Sequence, residues 1–269
     1  MTTECRGGPR LDSGWDHDAP TADATDASGT AAVQARQDAL TTTIVQAKTH
    51  GTPMRAGRIM VLYELRAPGI SGTGLMCENA TVICDGDVEA SRISGSGRLL
   101  VRGNIRCDTL DFTGEIRCTG RIVCTDGLTA TGLLHTQSGI DAAWIDMTGV
   151  VDAPHIFADH EVSVRGIGNG LGVQRAFPHS TRLSEVGLID AGTVTVGRMV
   201  CDRIEAERIT LTDACRVRVV PHAAVLSHDI RSRVAFSAMS DGSLAVNKHV
   251  PHETAAASRR TVVYRPARA

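Results

Sequence analysis

The sequence predicts an all-β fold, a parallel β-helix in which about seventeen residues form one coil and the coils stack as a solenoid. Three observations predict it. Glycines recur at a spacing near seventeen, apolar residues recur in pairs two positions apart between those glycines, and aromatic residues make up only 3% of the chain. With 27 glycines and so few large side chains, the core must be built from small aliphatic residues in thin layers.

The repeat is clearest between residues 81 and 166, where each unit ends at a glycine. The units are TVICDGDVEASRISGSG (81–97), RLLVRGNIRCDTLDFTG (98–114), EIRCTGRIVCTDGLTATG (115–132), LLHTQSGIDAAWIDMTG (133–149) and VVDAPHIFADHEVSVRG (150–166). Four units have seventeen residues and one has eighteen. No helix has such a period, so the pattern indicates one coil per unit.

Each unit carries three pairs of apolar residues, at its positions 2 and 4, 8 and 10, and 13 and 15. A spacing of two is the strand period, on which alternate side chains face the same way. Only Gly95, Thr136 and Asp159 depart from the pattern across these five units. Including the later units, the predicted core residues are Val88, Leu99, Val101, Ile105, Leu110, Phe112, Ile116, Ile122, Ile140, Ile145, Phe157, Val162, Ile204 and Ile209.

Corners between the strands are predicted at Gly86, Gly103 and Gly120, since glycine accepts positive φ without steric cost. Two competing solenoids fit less well. Left-handed hexapeptide-repeat acyltransferases need apolar residues at strict steps of six, whereas the steps here run six, five, six. Carbohydrate-cleaving helices usually have longer coils with clustered carboxylates and aromatic platforms, and the sequence has neither feature.

The pattern weakens outside the central units. Residues 64–80 read as a weak first coil, and the repeat resumes in GRMVCDRIEAERITLTD (197–213), where Val200 fills a core position and Arg198 is the exception. Between them, residues 167–192 break the register and read as an irregular insertion. Seven or eight coils are therefore predicted, a stack roughly 35 Å long at about 4.8 Å per coil.

The predicted domain is 51–236, and the flanks differ from it in kind. Residues 1–50 are polar with a net charge of -3 and read as a disordered tail, with a short helix around QARQDALTTTIVQAK (34–48). Residues 237–269 read as a basic disordered tail. No apolar run reaches the roughly 18 residues of a membrane span, and the start lacks the pattern of a secretory signal, so a cytoplasmic protein is expected.

Candidate chemistry is sparse. In the cytoplasm the eight cysteines should be reduced, and none lies in a CxxC pair. Cys107 and Cys124 occupy the same position of successive coils and should stack about 5 Å apart, which leaves a soft-metal or redox role open beside the simpler interpretation of small buried hydrophobes. The ten histidines show no ligand spacing, and GIGNGLG (166–172) lacks a phosphate-loop pattern. No catalytic residue, metal site or cofactor is predicted.

The ends of a solenoid need partners. One coil buries too little apolar surface to offset the ordering of seventeen residues, so each coil depends on its neighbours and the terminal coils expose unpaired backbone. Phe236, in the apolar segment RVAFSA, is a candidate for an assembly interface at the C-terminal end. The alternative is that Phe236 caps the core of its own chain.

The steps GDVEA (86–90), GNIRC (103–107) and GRIVC (120–124) resemble the turns of the bactofilins, a polymer-forming bacterial cytoskeletal family. The resemblance covers roughly residues 65–225 and includes RIEAERITLTDACRVRV (203–219), which is similar to the closing coils of longer members. It implies a right-handed β-helix that polymerises end to end without a nucleotide and forms scaffolds, often near the membrane. The irregular segment, the cysteine-rich inward faces and the basic tail depart from the family pattern.

The expected function is therefore that of a non-enzymatic scaffold whose main partner is a second copy of itself. Arg259, Arg260, Arg265 and Arg268 make the C-terminal tail a candidate contact for an anionic membrane surface, with solvated charge as the alternative and nucleic acid not expected. A second hypothesis is a monomeric or dimeric binding module whose tails cap the ends. A third, an acyltransferase or lyase, requires a clustered site that the sequence does not contain.

Overall fold

The computed structural model describes residues 41–167, 182–239 and, for the backbone alone, 244–246. These residues form β-strands joined by short bends, with no helix among them. The strands are β1 (Thr42–Thr49), β2 (Met54–Ala67), β3 (Ile70–Cys84), β4 (Val88–Val101), β5 (Ile105–Cys118), β6 (Ile122–Thr136), β7 (Ile140–Arg165), β8 (Ser184–Asp190), β9 (Thr193–Gly197), β10 (Met199–Glu205), β11 (Arg208–Thr212), β12 (Arg216–Pro221), β13 (Val225–His228), β14 (Arg233–Ala238) and β15 (Leu244–Val246).

The strands stack as a parallel β-solenoid, which confirms the predicted fold class. Along one path, eleven strands from β1 to β14 pair in parallel, and only β15 is antiparallel to its neighbour. Each coil lies about seventeen residues beyond the last, as in the pairing of Leu99 with Val82 on one side and Ile116 on the other. The stack therefore has about eleven turns rather than seven or eight, and it extends about 48 Å at 4.8 Å per turn.

The core consists of columns of inward-facing side chains that run along the solenoid. One column contains Leu65, Val82, Leu99, Ile116 and Leu134, all of which are buried. Thirteen of the fourteen predicted core residues are buried: Val88, Leu99, Val101, Ile105, Leu110, Phe112, Ile116, Ile122, Ile140, Ile145, Val162, Ile204 and Ile209. Thr136, an exception to the apolar pattern, is buried too, and its hydroxyl donates to the carbonyl of Gly120. That bond satisfies the polar group inside the core.

Phe157 is the predicted core residue that the structure places elsewhere. Ile156 and Ala158 face inward instead, and Ile156 pairs with the buried Ile189 of the next coil. A shift of one residue exchanges the two faces of a strand. The shift removes Asp159 from the core as well, and it leaves the Phe157 ring at the surface, 5.0 Å from the ring centroid of His155.

The predicted register is wrong by one residue a second time, in the late coils. Met199 and Cys201 are buried, whereas Val200, predicted to face inward, lies on the outer face of β10 and is 37% exposed. The chain reaches β10 through Arg198, which has a positive φ of 55°. This local backbone conformation moves the inward positions by one relative to a strict seventeen-residue frame.

The glycines at the bends are needed for a different reason from the one predicted. Gly86, Gly103 and Gly120 do lie at the bends, but they are not among the residues with positive φ. They are required because adjacent coils approach closely there: a Cβ on Gly120 would lie 2.5 Å from the carbonyl oxygen of Gly103. Positive φ is found instead at four of the five glycines that end the units, including Gly114 at 137°, which pairs with Gly97 and Gly132 in the neighbouring coils.

The solenoid is longer than the predicted domain at both ends and through the insertion. Residues 42–49 form β1, where a tail and the end of a short helix were expected, because the β-branched run around Ile44 favours a strand that pairs with β2. Of the predicted 167–192 insertion, 182–192 is regular and includes β8. In the predicted 237–269 tail, the first residues complete β14, and 244–246 form β15. The remainder of the three segments lies outside the described residues, apart from Thr41, His50, Ile167 and Met239.

Candidate functional site

Among the strands that the structure describes, β1 forms the N-terminal edge of the solenoid. Among the described strands β1 pairs only with β2, so its second edge has no partner there. The carbonyl of Thr41 accepts a hydrogen bond from the Arg58 amide, and alternation along the ladder therefore directs the peptide groups of Val45 toward β2 and those of Ile44 away from it. The backbone of Ile44 thus lies on the edge at which another strand can add.

An exposed apolar column adjoins this edge. Ile44, Met60 and Met76 are successive partners in the ladder and point to the outer face. Ile44 is 61% exposed and Met76 is 48% exposed, and Tyr63 at the neighbouring corner is 69% exposed. In the next two coils the same column continues with Ser94 and Asp111, so the apolar surface is confined to the first three coils.

The C-terminal end is covered in part. The chain turns back after β14, and β15 pairs antiparallel with its last three residues, Phe236 to Ala238. Phe236 is the residue predicted from sequence as an assembly interface. Its side chain is half-buried and its backbone lies between Val219 of β12 and Val246 of β15. This placement favours the alternative, in which Phe236 caps the core of its own chain.

The outer face is charged, and ion pairs join side chains of successive coils. Arg106 contacts Asp87 and Glu89, both one coil away, and Arg98 contacts Glu115 at 2.9 Å. Each such exposed pair stabilises the fold by only about 0–1 kcal/mol. The ion pairs thus connect side chains of successive coils, and each adds little to the stability of the fold.

Two carboxylates accept hydrogen bonds that make the stability of the fold depend on pH. Burial opposes the ionisation of Asp229, but hydrogen bonds from Ser232 and from the backbone of Asp213 outweigh it and lower the pKa of Asp229. Hydrogen bonds from Arg117 and Arg98 likewise outweigh burial and lower the pKa of Glu115. A carboxyl group with a lowered folded pKa stabilises the fold above its unfolded pKa, and that contribution is lost as the pH falls through the folded value.

We therefore expect Tm to fall as the pH drops below about 4, where these carboxylates become protonated. Asp229→Ala should lower the stability at neutral pH by about 1–2 kcal/mol, because three backbone N–H groups lose their acceptor, and should weaken the acid dependence of Tm. Thermal unfolding followed by circular dichroism from pH 7 to pH 3 measures both effects. Asp202→Ala is the control, since that carboxylate is 67% exposed with one contact at 3.4 Å. Equal effects of the two variants would contradict the assignment.

The described cysteines are buried free thiols. Burial raises the pKa of Cys77 to about 12, that of Cys118 to about 11 and that of Cys201 to about 12. The predicted stacking of Cys107 on Cys124 is present, with the two sulfurs 3.4 Å apart. Cys124 also lies in the wall of an open groove of about 490 Å³, together with Asp141 and the displaced Phe157.

Among the described residues, no group of three or more His, Cys, Asp and Glu side chains is arranged to hold a metal ion. His249, His252 and the C-terminal arginines lie outside the described residues. Within the ranges that the structure describes, no helix is long and apolar enough to cross a membrane. In comparisons with family models, curated proteins and solved structures, none matches this chain significantly.

Proposed function

We propose that this protein is a non-enzymatic structural scaffold that assembles with copies of itself through the ends of its solenoid. The observation that carries the proposal is the edge of β1, which has no partner among the described strands, at the end of an eleven-turn parallel stack. An unpaired strand edge is a template for pairing with another chain, and solenoids whose ends are not capped associate through them. Assembly through strands needs no nucleotide. The resemblance of the coil motifs to the bactofilins supports the same function.

The N-terminal end is the better candidate for the interface. Its edge strand carries Ile44, whose exposed side chain begins the apolar column with Met60 and Met76. At the other end, β15 occupies part of the edge of β14. A second copy that added to β1 would gain backbone hydrogen bonds and would bury apolar side chains beside them, which is the usual combination in strand addition.

A substitution on the edge of β1 tests this proposal. Ile44→Pro removes an amide that points away from β2, so it should block pairing with a second copy while the β1–β2 ladder is kept. We expect the wild-type chain to sediment as concentration-dependent assemblies and Ile44→Pro to sediment as a monomer. Ile44→Thr, which keeps the amide and removes the apolar side chain, should weaken assembly without abolishing it. Assembly of Ile44→Pro at the wild-type level would contradict an interface at this edge.

A second candidate function is that of a capped binding module. The observation that favours it is β15, which folds back antiparallel onto β14 and so ends the parallel stack at that side. If the residues before β1 cover the other end, their removal should cause assembly. Deletion of residues 1–40 therefore separates the two functions: a scaffold assembles with or without the segment, whereas a capped module assembles only after its loss. The basic C-terminal segment then remains the candidate contact for an anionic membrane.

A further inference from the structure

Cys107 and Cys124 lie directly opposite each other on adjacent coils. They are partners in the parallel ladder between β5 and β6, and their sulfurs are 3.4 Å apart. Ladder partners have Cα atoms about 4.8 Å apart, within the range of about 4.4–6.8 Å that a disulfide spans. The sulfurs need to approach by little more than 1 Å to reach the bonding distance of about 2.05 Å. Rotation about the two Cα–Cβ bonds supplies such a movement with the coils kept in register.

No other pair in the described ladders joins two cysteines. Cys84 and Cys118 share a column, but Val101 lies between them, so they are two coils apart, about 9.6 Å. Cys77 has Val61 and Gly95 as its ladder partners, and Cys201 has Val186 and Val217. Ladder pairing therefore distinguishes Cys107 and Cys124 from Cys77, Cys84, Cys118 and Cys201.

An open groove adjoins Cys124. This residue is 2% exposed and lies in the wall of the groove, whose volume is about 490 Å³. Beyond Cys124 the next coils carry Ala142 and Ala158, which also line the groove, and Phe157 lies along the wall rather than in the core. The groove therefore opens beside the residue that carries one of the two sulfurs.

We propose that Cys107 and Cys124 form an oxidation site, a dithiol that a small-molecule disulfide converts to a disulfide bridge between β5 and β6. In the first step the thiolate of one of the two cysteines attacks one sulfur of the reagent, and a mixed disulfide forms as one reagent thiolate leaves. The other cysteine then transfers its proton to that thiolate and attacks the protein sulfur of the mixed disulfide, which expels the second reagent thiolate. The net reaction oxidises two protein thiols and reduces one reagent disulfide to two thiols.

The bond to Cys107 and then burial raise the pKa of Cys124. The product links two neighbouring coils in the middle of the stack, where a bridge restricts their separation on unfolding.

The test treats the folded, full-length chain, carrying Cys5→Ser, with bis(2-hydroxyethyl) disulfide. The mass of the product should fall by about 2 Da, two thiols should be lost to alkylation, and peptide mapping should join Cys107 to Cys124. A reducing agent should reverse the change. The same chain unfolded in urea is the control that shows the reagent is oxidising enough.

Single variants test whether the two thiols react as a pair. In Cys124→Ala and in Cys107→Ala the remaining thiol should retain the reagent as a stable mixed disulfide, since no resolving thiol is present. Cys118→Ala removes a buried cysteine outside the pair and should leave the reaction unchanged. The proposal is overturned if the folded chain keeps all its thiols under conditions that oxidise the unfolded chain, or if it forms other bridges as readily as this one.

Discussion

Leu99→Asp is expected to unfold the solenoid or to lower its stability by about 4–5 kcal/mol, since it buries an unpaired carboxylate. Leu99 is fully buried in a column between Val82 and Ile116. The coils on both sides lose their packing together with the coil that carries the substitution, because a solenoid is stabilised by contacts between neighbours. Chemical denaturation followed by circular dichroism measures the change.

Leu100→Asp is the matched control for this substitution. Leu100 is the next residue of β4, faces outward, is only half-buried, and pairs with Arg117 in the next coil. The same change of side chain should therefore cost about 1 kcal/mol or less there, since the new carboxylate remains solvated beside a guanidinium. If the two variants were equally unstable, the inward and outward faces of β4 would have been assigned wrongly.

Gly114→Ala is expected to have the second largest effect, a loss of about 2–4 kcal/mol in the free energy of unfolding. Gly114 has a φ of 137°, and a Cβ there would lie 2.0 Å from the carbonyl oxygen of Gly97 in the preceding coil. Neither group can move without breaking the ladder. Alanine must therefore both strain its own backbone and push adjacent coils apart.

Gly74→Ala provides the comparison for Gly114→Ala. Gly74 lies within β3, has no positive φ, and a Cβ there would make only an ordinary contact of 3.7 Å with the Arg58 side chain. Its substitution should change the free energy of unfolding by about 1 kcal/mol at most, in either direction. A loss at Gly74 as large as that at Gly114 would mean that strain and close approach are not what the unit-ending glycines accommodate.

The repeat was predictable because each coil imposes the same geometry on its sequence. Inward positions such as Ile105 and Ile122 stack on one another, so a polar residue at either one costs stability, and the apolar pattern appears directly in the sequence. The column of glycines at 97, 114, 132 and 149 is visible for the same reason. The conformation behind it was less evident, since spacing alone does not tell a positive φ from a close approach.

The register of two strands and the extent of the solenoid at its ends were harder to predict. One-residue changes in corner length displaced the frame at Phe157 and Val200, and an apolar residue on each face hid the shift. The strand β1 was missed because its inward positions include Thr43 and Lys48, which pair with Ile59 and Leu65 of β2. A terminal coil has a neighbour on one side only, so its inward residues need not be apolar.

The candidate sites, too, could be predicted only in part from the sequence. Stacking of Cys107 on Cys124 followed from the period, but the groove beside Cys124 did not, because it depends on the displaced Phe157 and on small residues in later coils. The open edge of β1 was predictable only as a general property of solenoid ends. Its exposed neighbours, Met60 and Met76, occupy outward positions that the pattern of inward residues does not constrain.

The most direct test of the proposed scaffold is negative-stain electron microscopy of the purified, tag-free chain in a buffer without nucleotide, at increasing protein concentration. The proposal predicts thin unbranched filaments or bundles, and it predicts that Ile44→Pro abolishes them. The chain trimmed to residues 41–246 should form them too. Isolated short rods at every concentration, for both the full and the trimmed chain, would contradict assembly through the solenoid ends.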